Sequence, residues 1–289
     1  MITNRDLLGC AVAAAVSASF NAPIAGTLFA LEVVLRHFVM HAFAPIVIAS
    51  VTGTVLNRLT FGDVTEFSLP ESNALIFYTE LPAFILLGLL CGIVAVIMMT
   101  SIFWTEDIAS ALQELTSIKR WIRPALAGGL IGIIAIWFPQ VVGVGYDTIS
   151  AALTGSLLLH DAIIFAVLKV IAVSITLGGR MGGGIFSPSL MLGSLTGLAF
   201  GLIAASIFPT ISGEQTIYAL AGMGAVAAAV LGAPISTTLI VFELTGDWQI
   251  GLAVMIAVAF STITSRRLVG GSFFLSQLER RGIHLAKGS

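Results

Sequence analysis

A glycine-rich segment spans residues 178–188 and reads Gly-Gly-Arg-Met-Gly-Gly-Gly-Ile-Phe-Ser-Pro. It precedes an apolar run, residues 189–208, that predicts a helix. Glycine allows a backbone to approach a ligand closely, and the first amides of a helix have no partner within that helix. Such amides, at the positive end of the helix dipole, bind anions. The same glycines are also common where membrane helices pack closely, so an anion site and a packing turn both remain open.

Two segments of the chain, residues 22–32 and 233–243, match each other without gaps at an offset of 211 residues. Both read Ala-Pro-Ile-x-x-Thr-Leu-x-x-x-Glu, and an alanine-rich stretch precedes each copy. This match indicates an internal duplication. The glutamates that end the copies, Glu32 and Glu243, lie within apolar stretches, where an ionisable group is costly and often functional. Because the two are equivalent, we expect both to cap backbone amides, with a proton-path role for Glu32 as the alternative.

The composition shows what kind of molecule must position these groups. Hydrophobic residues make up 57% of the chain and charged residues 10%, with a mean hydropathy of +1.05. So few charges cannot cover a water-facing surface, which excludes a soluble enzyme, a disordered chain and a nucleic-acid-binding protein. Long intervals without Lys, Arg, Asp or Glu predict an all-α, multi-pass protein of the lipid bilayer: 36–58, 80–106, 123–147, 180–214, 214–243 and 247–266.

Breaks interrupt the apolar runs at residues 21–23, 178–188 and 232–234, where proline or clustered glycine disfavours continuous helix. Broken helices at membrane depth occur where they are buried in protein or line an aqueous cavity. The breaks therefore predict a transporter or channel. The distribution of basic residues predicts that the loop 105–123 and the C-terminus are cytoplasmic, whereas the acidic loop 61–80 is outside.

Other candidate groups were weighed in the same way. Lys169 lies within an apolar run and could attract anions to an aqueous vestibule, pair with an acid or extend towards the interface. The chain contains no His-Glu-x-x-His, paired-cysteine or clustered acidic pattern, so no metal or other cofactor is expected. An intramembrane protease is the rival class, but neither a Gly-x-Ser-Gly nor a Gly-x-Gly-Asp motif is present. We therefore predict that the chain is not an enzyme.

In combination, three motifs resemble the CLC family of chloride channels and chloride/proton antiporters. They are Gly-Gly-Ile-Phe-Ser-Pro-Ser-Leu at 183–190, Phe-Asn-Ala-Pro-Ile-Ala-Gly at 20–26 with the following Glu32, and Ala-Gly-Met-Gly-Ala at 221–225 with Ala233-Pro234. The resemblance runs from about Arg5 to Ile283. It implies one membrane domain, residues 1–289, built from two inverted repeats with broken and re-entrant helices, in a homodimer whose subunits each have an anion pathway.

The resemblance also implies the division of this domain. Residues 1–60 would be the end of a truncated first repeat and residues 80–268 the second repeat. Residues 269–289 would form a C-terminal helix with a basic cytoplasmic tail. The serine-bearing half of the family's anion site and the glutamate of its external gate would lie upstream of Met1, so the resemblance is to an N-terminally incomplete member.

Carried over residue by residue, the resemblance assigns the central anion to the backbone amides of Ile185 and Phe186. The neighbours that would shape the start of that helix are Gly184, Ser187 and Pro188. The family's tyrosine on the last helix aligns with Phe274, an aromatic wall without the hydroxyl, although alignment from Gly270 selects Leu275 instead. Amides suit this task because conduction requires binding that is weak enough to release the ion.

The family's antiporters carry a second, internal glutamate directly after the position of Glu32, where this chain has Val33. Valine cannot carry a proton, which predicts transport of chloride or a similar small anion that is passive or weakly proton-coupled. Two alternatives remain: a chloride/proton antiporter with another proton route, and a non-conducting truncated membrane subunit. The expected location is the plasma (inner) membrane, with the C-terminus in the cytoplasm.

Overall fold

The computed structural model describes residues 3–36, 40–62, 77–116, 119–209 and 214–283, and every regular element among them is helical. The helices, numbered in chain order, are α1 (Asn4–Phe20), α2 (Pro23–Phe29), α3 (Met40–Phe61), α4 (Phe77–Thr116), α5 (Ile122–Trp137), α6 (Tyr146–Leu153), α7 (Leu159–Gly178), α8 (Phe186–Ile207), α9 (Gln215–Leu231), α10 (Pro234–Thr245), α11 (Trp248–Val269) and α12 (Phe273–Arg280). A π-helix, Ala30–Leu35, continues α2, and a short 3-10 helix, Pro139–Val141, follows α5.

Five helical stretches within the described ranges are long and apolar enough to cross a membrane: His41–Phe61, Glu80–Thr116, Leu159–Gly178, Phe186–Ile207 and Trp248–Arg280. Four further apolar helices of the described chain are shorter. Many large apolar side chains face outwards, as a lipid-facing surface requires; Ile136, for example, is 73% exposed. The prediction of an all-α, multi-pass membrane protein is confirmed.

The predicted loop at 105–123 is wrong over most of its length, because α4 continues without interruption to Thr116. The charged residues that suggested a loop lie on a helical extension instead. On this extension Asp107 accepts two hydrogen bonds from Arg280, at 3.0 and 3.1 Å. The same guanidinium lies 4.6 Å from the ring centre of Phe103. The first charged residue of this region, Glu106, therefore marks the end of the apolar run, but the helix continues beyond it. Three acidic residues of the predicted outer loop, Asp63, Glu66 and Glu71, lie outside the described residues.

Close contacts between helix backbones form the core. On α8, an added side chain at Gly193 or Gly197 would overlap the backbone of α9 near Gly222 or Tyr218. Similarly, a Cβ at Gly88 on α4 would lie 2.6 Å from the carbonyl oxygen of Ala257 on α11. Within a bilayer there is little hydrophobic gain from helix association, so this close van der Waals packing holds the helices together.

The two duplicated segments have the same local design, which confirms the predicted breaks there. Asn21 and Gly232, which end α1 and α9, both adopt left-handed backbone conformations, with φ of 54° and 72°. Pro23 and Pro234 then open α2 and α10, where a missing amide proton costs nothing.

The copies differ further along. The helix that starts at Pro23 passes into the π-helix and ends at Arg36, whereas α10 ends at Gly246. From the initial proline, the first copy therefore contains one residue more than the second. A π-helix, with its i→i+5 hydrogen bonds, accommodates the additional residue.

Candidate functional site

The first amides of α2 bind a carboxylate from the other copy of the repeat. Glu243, near the end of α10, accepts hydrogen bonds from the backbone N–H of Ile24 at 3.0 Å and of Ala25 at 2.7 Å. These are two of the amides that a helix leaves without an internal partner. A carboxylate there is also favoured by the helix dipole.

The opposite contact is also formed. Glu32, in the π-helix that continues α2, accepts hydrogen bonds from the backbone N–H of Ile235 at 3.1 Å and of Ser236 at 2.8 Å. The Ser236 hydroxyl donates a third bond to the same carboxylate. Each copy therefore caps the helix of the other, and the predicted capping role is confirmed for both glutamates. The proton-path role of Glu32 stays a prediction.

The glycine-rich segment forms a tight turn at the end of α7. The N–H of Arg180 bonds the carbonyl of Leu177 and the N–H of Met181 bonds that of Thr176, both at 3.0 Å. Arg180 occupies the left-handed position of this turn, with φ of 59°. This is the Schellman arrangement, which usually has glycine there. The chain then passes through Gly182–Gly184, which is exposed.

The start of α8 follows directly and carries no side-chain cap from the described part of the chain. Ile185 is the N-cap residue, and the hydrogen bond from the Ser189 amide to the Ile185 carbonyl closes the first helical turn. Pro188 has no amide proton, so the N–H groups without a partner inside this helix belong to Ile185, Phe186 and Ser187. An uncapped helix start of this kind attracts anions.

The residues at this helix start line a cavity of about 360 Å³, whose lining includes Gly184, Phe186, Ser187 and Pro188. Lys169 also lines this cavity and is 2% exposed. Its Nζ donates to the carbonyls of Val141 and Gly143 at 3.0 and 2.9 Å. Of the three roles considered for Lys169, pairing with an acid does not describe this geometry, since both hydrogen-bond acceptors of its Nζ are backbone carbonyls.

Aromatic contacts fix the start of α8 against the first duplicated segment. The ring of Phe186 lies 5.1 Å from that of Phe20 and 5.4 Å from that of Phe29, measured between ring centres. Phe20 ends α1 and Phe29 ends α2. The break at residues 21–22 and the start of α8 are thus one packed unit, which joins two motifs that lie far apart in the sequence.

Arg123 holds the other side of the glycine-rich turn, and the sequence analysis missed this role. It is 6% exposed. Its Nε lies 3.1 Å from the carbonyl oxygen of Gly178, which also accepts a bond from its Nη2. Further bonds reach the carbonyl of Glu106 and the hydroxyl of Ser110, both at 3.1 Å. One guanidinium therefore connects α4, the start of α5 and the end of α7.

A second space, a cleft of about 940 Å³, also borders the glycine-rich turn. Arg180, Arg280 and Arg281 line it, together with the acids Glu106 and Asp107. Leu177 and Gly183 line both the cleft and the cavity. The glycine-rich turn is consequently the wall between two spaces, one of which is rich in arginine.

Phe274 lies elsewhere than the other predicted anion ligands. It is 40% exposed, and it lines a separate cavity of about 620 Å³ that also contains Glu32 and Leu275. Its neighbour Phe273 is buried and stacks on Phe103, with ring centres 5.2 Å apart. Both candidates for the family's tyrosine position, Phe274 and Leu275, face this cavity, so the register that the sequence left open stays open.

Among the residues that the structure describes, no group of three or more His, Cys, Asp or Glu side chains is placed to hold a metal ion.

Comparison with known proteins gives one consistent match. Residues 1–266 match the family described as "Voltage gated chloride channel". The H(+)/Cl(−) exchange transporter ClcA of Vibrio parahaemolyticus is 31% identical over 281 residues, which cover 96% of this chain and 60% of the transporter. The putative chloride channel protein ClcB-like of Ralstonia nicotianae is 29% identical over 276 residues, with 96% and 63% covered.

Among solved structures, a slow cyanobacterial Cl−/H+ antiporter superposes with a TM-score of 0.85 at 23% identity, covering 96% of this chain and 66% of the antiporter. A CLC-type fluoride/proton antiporter gives a TM-score of 0.77 at 20% identity, with 94% and 65% covered. This chain thus spans less than two thirds of the length of these proteins. The matched family and the Vibrio and Ralstonia relatives are described as chloride channels or transporters, not as intramembrane proteases. The chain belongs to the voltage-gated chloride channel family, the CLC proteins.

Proposed function

We propose that this chain carries an anion pathway of the CLC type and moves chloride or a similar small anion across a membrane. The observation that carries the proposal is the uncapped start of α8, whose first residues, Phe186 and Ser187, line a cavity. Backbone amides offer partial positive charge without holding the ion as firmly as a buried cation would, which permits release.

The two spaces that border the glycine-rich turn support a route past this site. The cleft with Arg180, Arg280 and Arg281 would receive anions at one end, and the cavity beside Lys169 would continue towards the other. Between them lie Gly182–Gly184, whose backbone is exposed. In this proposal Ile185 and Phe186 supply the amides, Gly184, Ser187 and Pro188 shape the helix start, and Phe274 forms a more distant aromatic wall.

Transport is passive or weakly proton-coupled in this proposal. The supporting observation is Val33, an apolar residue that lines the same cavity as Glu32. A coupled antiporter is the second candidate, because the Vibrio relative is named as an H(+)/Cl(−) exchange transporter. The Glu32 carboxylate already accepts three hydrogen bonds. A proton on it would remove one acceptor from this cap, which favours the passive candidate.

The proposal includes a homodimer in the plasma (inner) membrane, with the arginine-rich ends of α11 and α12 in the cytoplasm. It also includes inverted repeats, the first ending near residue 60 and the second covering residues 80–268. The reciprocal caps between α2 and α10 support equivalent positions for the two copies.

The test uses the purified chain in liposomes that contain chloride, with external chloride and pH recorded together. We expect chloride efflux once a potassium ionophore dissipates the membrane potential, with little accompanying proton movement. Uphill proton movement driven by the chloride gradient would replace passive transport with antiport. Chloride efflux no faster than from protein-free liposomes would leave the non-conducting subunit as the function.

A further inference from the structure

Three arginines on separate segments surround the cavity of about 620 Å³ that contains Phe274. Arg5 lies in the first turn of α1, Arg36 ends the π-helix, and Arg266 lies in the last turn of α11. All three are exposed at the surface of the molecule. We call this cavity the tri-arginine pocket.

The acidic residue of the pocket lining does not neutralise these arginines by direct contact. It is Glu32, whose carboxylate accepts its three bonds from Ile235 and Ser236. No ion pair within the described ranges involves Arg36 or Arg266. Three guanidinium groups against one carboxylate leave a formal excess of two positive charges in the pocket.

A backbone contact holds Arg5 at this site. Its Nη2 donates to the carbonyl oxygen of Leu35 at 3.1 Å, next to Arg36. The first guanidinium is thereby tied to the segment that carries the second. An ordered guanidinium group loses little conformational entropy for each hydrogen bond that it forms. Its planar fork also fits the oxygen atoms of a phosphate.

The size and position of the pocket indicate the class of ligand. A cavity of about 620 Å³ with three arginines in its lining is far larger than a single chloride ion and has room for a group with several oxygen atoms. Next to the pocket, Leu268 is 61% exposed and Ile263 is 50% exposed on α11, as expected near lipid. Clustered arginines at that level of a membrane attract phosphate-bearing headgroups.

We propose that the tri-arginine pocket binds a phosphate group, carried either by an anionic lipid or by a soluble phosphate compound. This pocket does not include the amides of α8, although it shares Phe274, the more distant wall of the proposed anion pathway. Its occupancy does not depend on transport. Because Ser272 and Phe274 line the pocket, a bound phosphate would connect the end of α11 to α12 and stabilise the folded protein.

The test measures thermal unfolding of the purified chain in nonionic detergent, with inorganic pyrophosphate or phosphatidylglycerol added at matched ionic strength. We expect a saturable rise of the unfolding temperature with at least one probe. Arg266→Gln should weaken that binding about tenfold, because hydrogen bonds between charged groups are the strong ones. Arg36→Gln should act in the same direction. The matched control is Arg267→Gln, which changes the exposed arginine next in sequence.

The two probes distinguish the source of the phosphate. Saturation with pyrophosphate assigns a soluble ligand, and saturation with phosphatidylglycerol alone assigns a lipid headgroup. The unliganded unfolding temperature of each variant separates loss of binding from loss of folding. The proposal is overturned if neither probe saturates, or if the two pocket variants respond to both probes as the Arg267→Gln control does. Neither result depends on chloride efflux.

Discussion

Three helices in the described ranges, α2, α8 and α10, begin directly after the predicted breaks, and they use their first amides in two ways. At α2 and α10, the amides bind the carboxylates of Glu243 and Glu32. At α8, no described side chain caps the helix, and its first residues line a cavity. The difference shows how a protein can leave one helix start accessible to a mobile anion. At the other two helix starts, its own carboxylates already bind the first amides.

The largest expected effect comes from closing the open helix. In Ser187→Glu, a carboxylate would sit in the first turn of α8 and occupy or repel the anion position. Two like charges about 4 Å apart near a protein surface repel by about 4 kcal/mol. We therefore expect chloride binding, measured by titration calorimetry, to weaken more than about 100-fold. Ser187→Gln, of similar size but uncharged, is the control, and an equal loss in both variants would contradict the electrostatic explanation.

The second experiment opens a closed helix. Glu243→Ala leaves the amides of Ile24 and Ala25 without their acceptor, and we expect a loss of about 2 kcal/mol in the free energy of unfolding. Denaturant unfolding in detergent measures this value. Glu114→Ala, which changes an exposed glutamate on α4, should have little effect. Equal stability of the two variants would mean that water replaces the cap.

The third experiment tests how the open helix is held without a carboxylate. Lysine in Arg123→Lys keeps the charge but lacks the fork that reaches Gly178, Glu106 and Ser110 together. The turn before α8 should loosen, and we expect chloride affinity to fall about tenfold. Arg120→Gln, at an exposed neighbouring position, should bind chloride normally. Unchanged affinity in Arg123→Lys, with only stability reduced, would restrict Arg123 to a structural role.

The smallest effect distinguishes the two caps from each other. In one cap, Glu32 accepts a hydrogen bond from the Ser236 hydroxyl. The residue equivalent to Ser236 in the other copy is Ala25, which has no hydroxyl and binds Glu243 through its backbone amide. Ser236→Ala should therefore cost about 1 kcal/mol of stability, and Glu32→Ala made in that background should cost about as much as Glu243→Ala. Ser206→Ala removes an exposed hydroxyl and serves as the control. A larger remaining difference would point to the π-helix instead.

Charge-free intervals and composition were enough for four of the five membrane-crossing stretches in the described chain, for the breaks and for the glycine-rich turn, because each depends on local chemistry. The stretch Leu159–Gly178 was not among the predicted intervals, because Asp161 and Lys169 interrupt its apolar run. The equivalence of Glu32 and Glu243 also predicted that both would be caps. That each caps the helix of the other copy was not predictable, because this pairing depends on how α2 and α10 meet across about 200 residues of chain.

Two errors have identifiable causes. The end of α4 was placed too early because Glu106 and Asp107 were read as the start of a loop, although helices continue beyond a bilayer when other groups bind their charges. The role of Arg123 was missed, yet Arg123 directly precedes Pro124 at the start of an apolar helix. A cation there opposes the helix dipole, which was a signal that it has acceptors elsewhere.

The reciprocal caps impose an order on the making of this protein. Glu243 lies 219 residues after Ile24, and a ribosome adds roughly 5–20 residues each second. The first amides of α2 therefore exist for about 10–40 s before their carboxylate is synthesised. Throughout that interval, α2 must remain where water or the insertion machinery can satisfy its amides. The final placement of the first copy in the membrane is thus a late event, completed only when the second copy arrives.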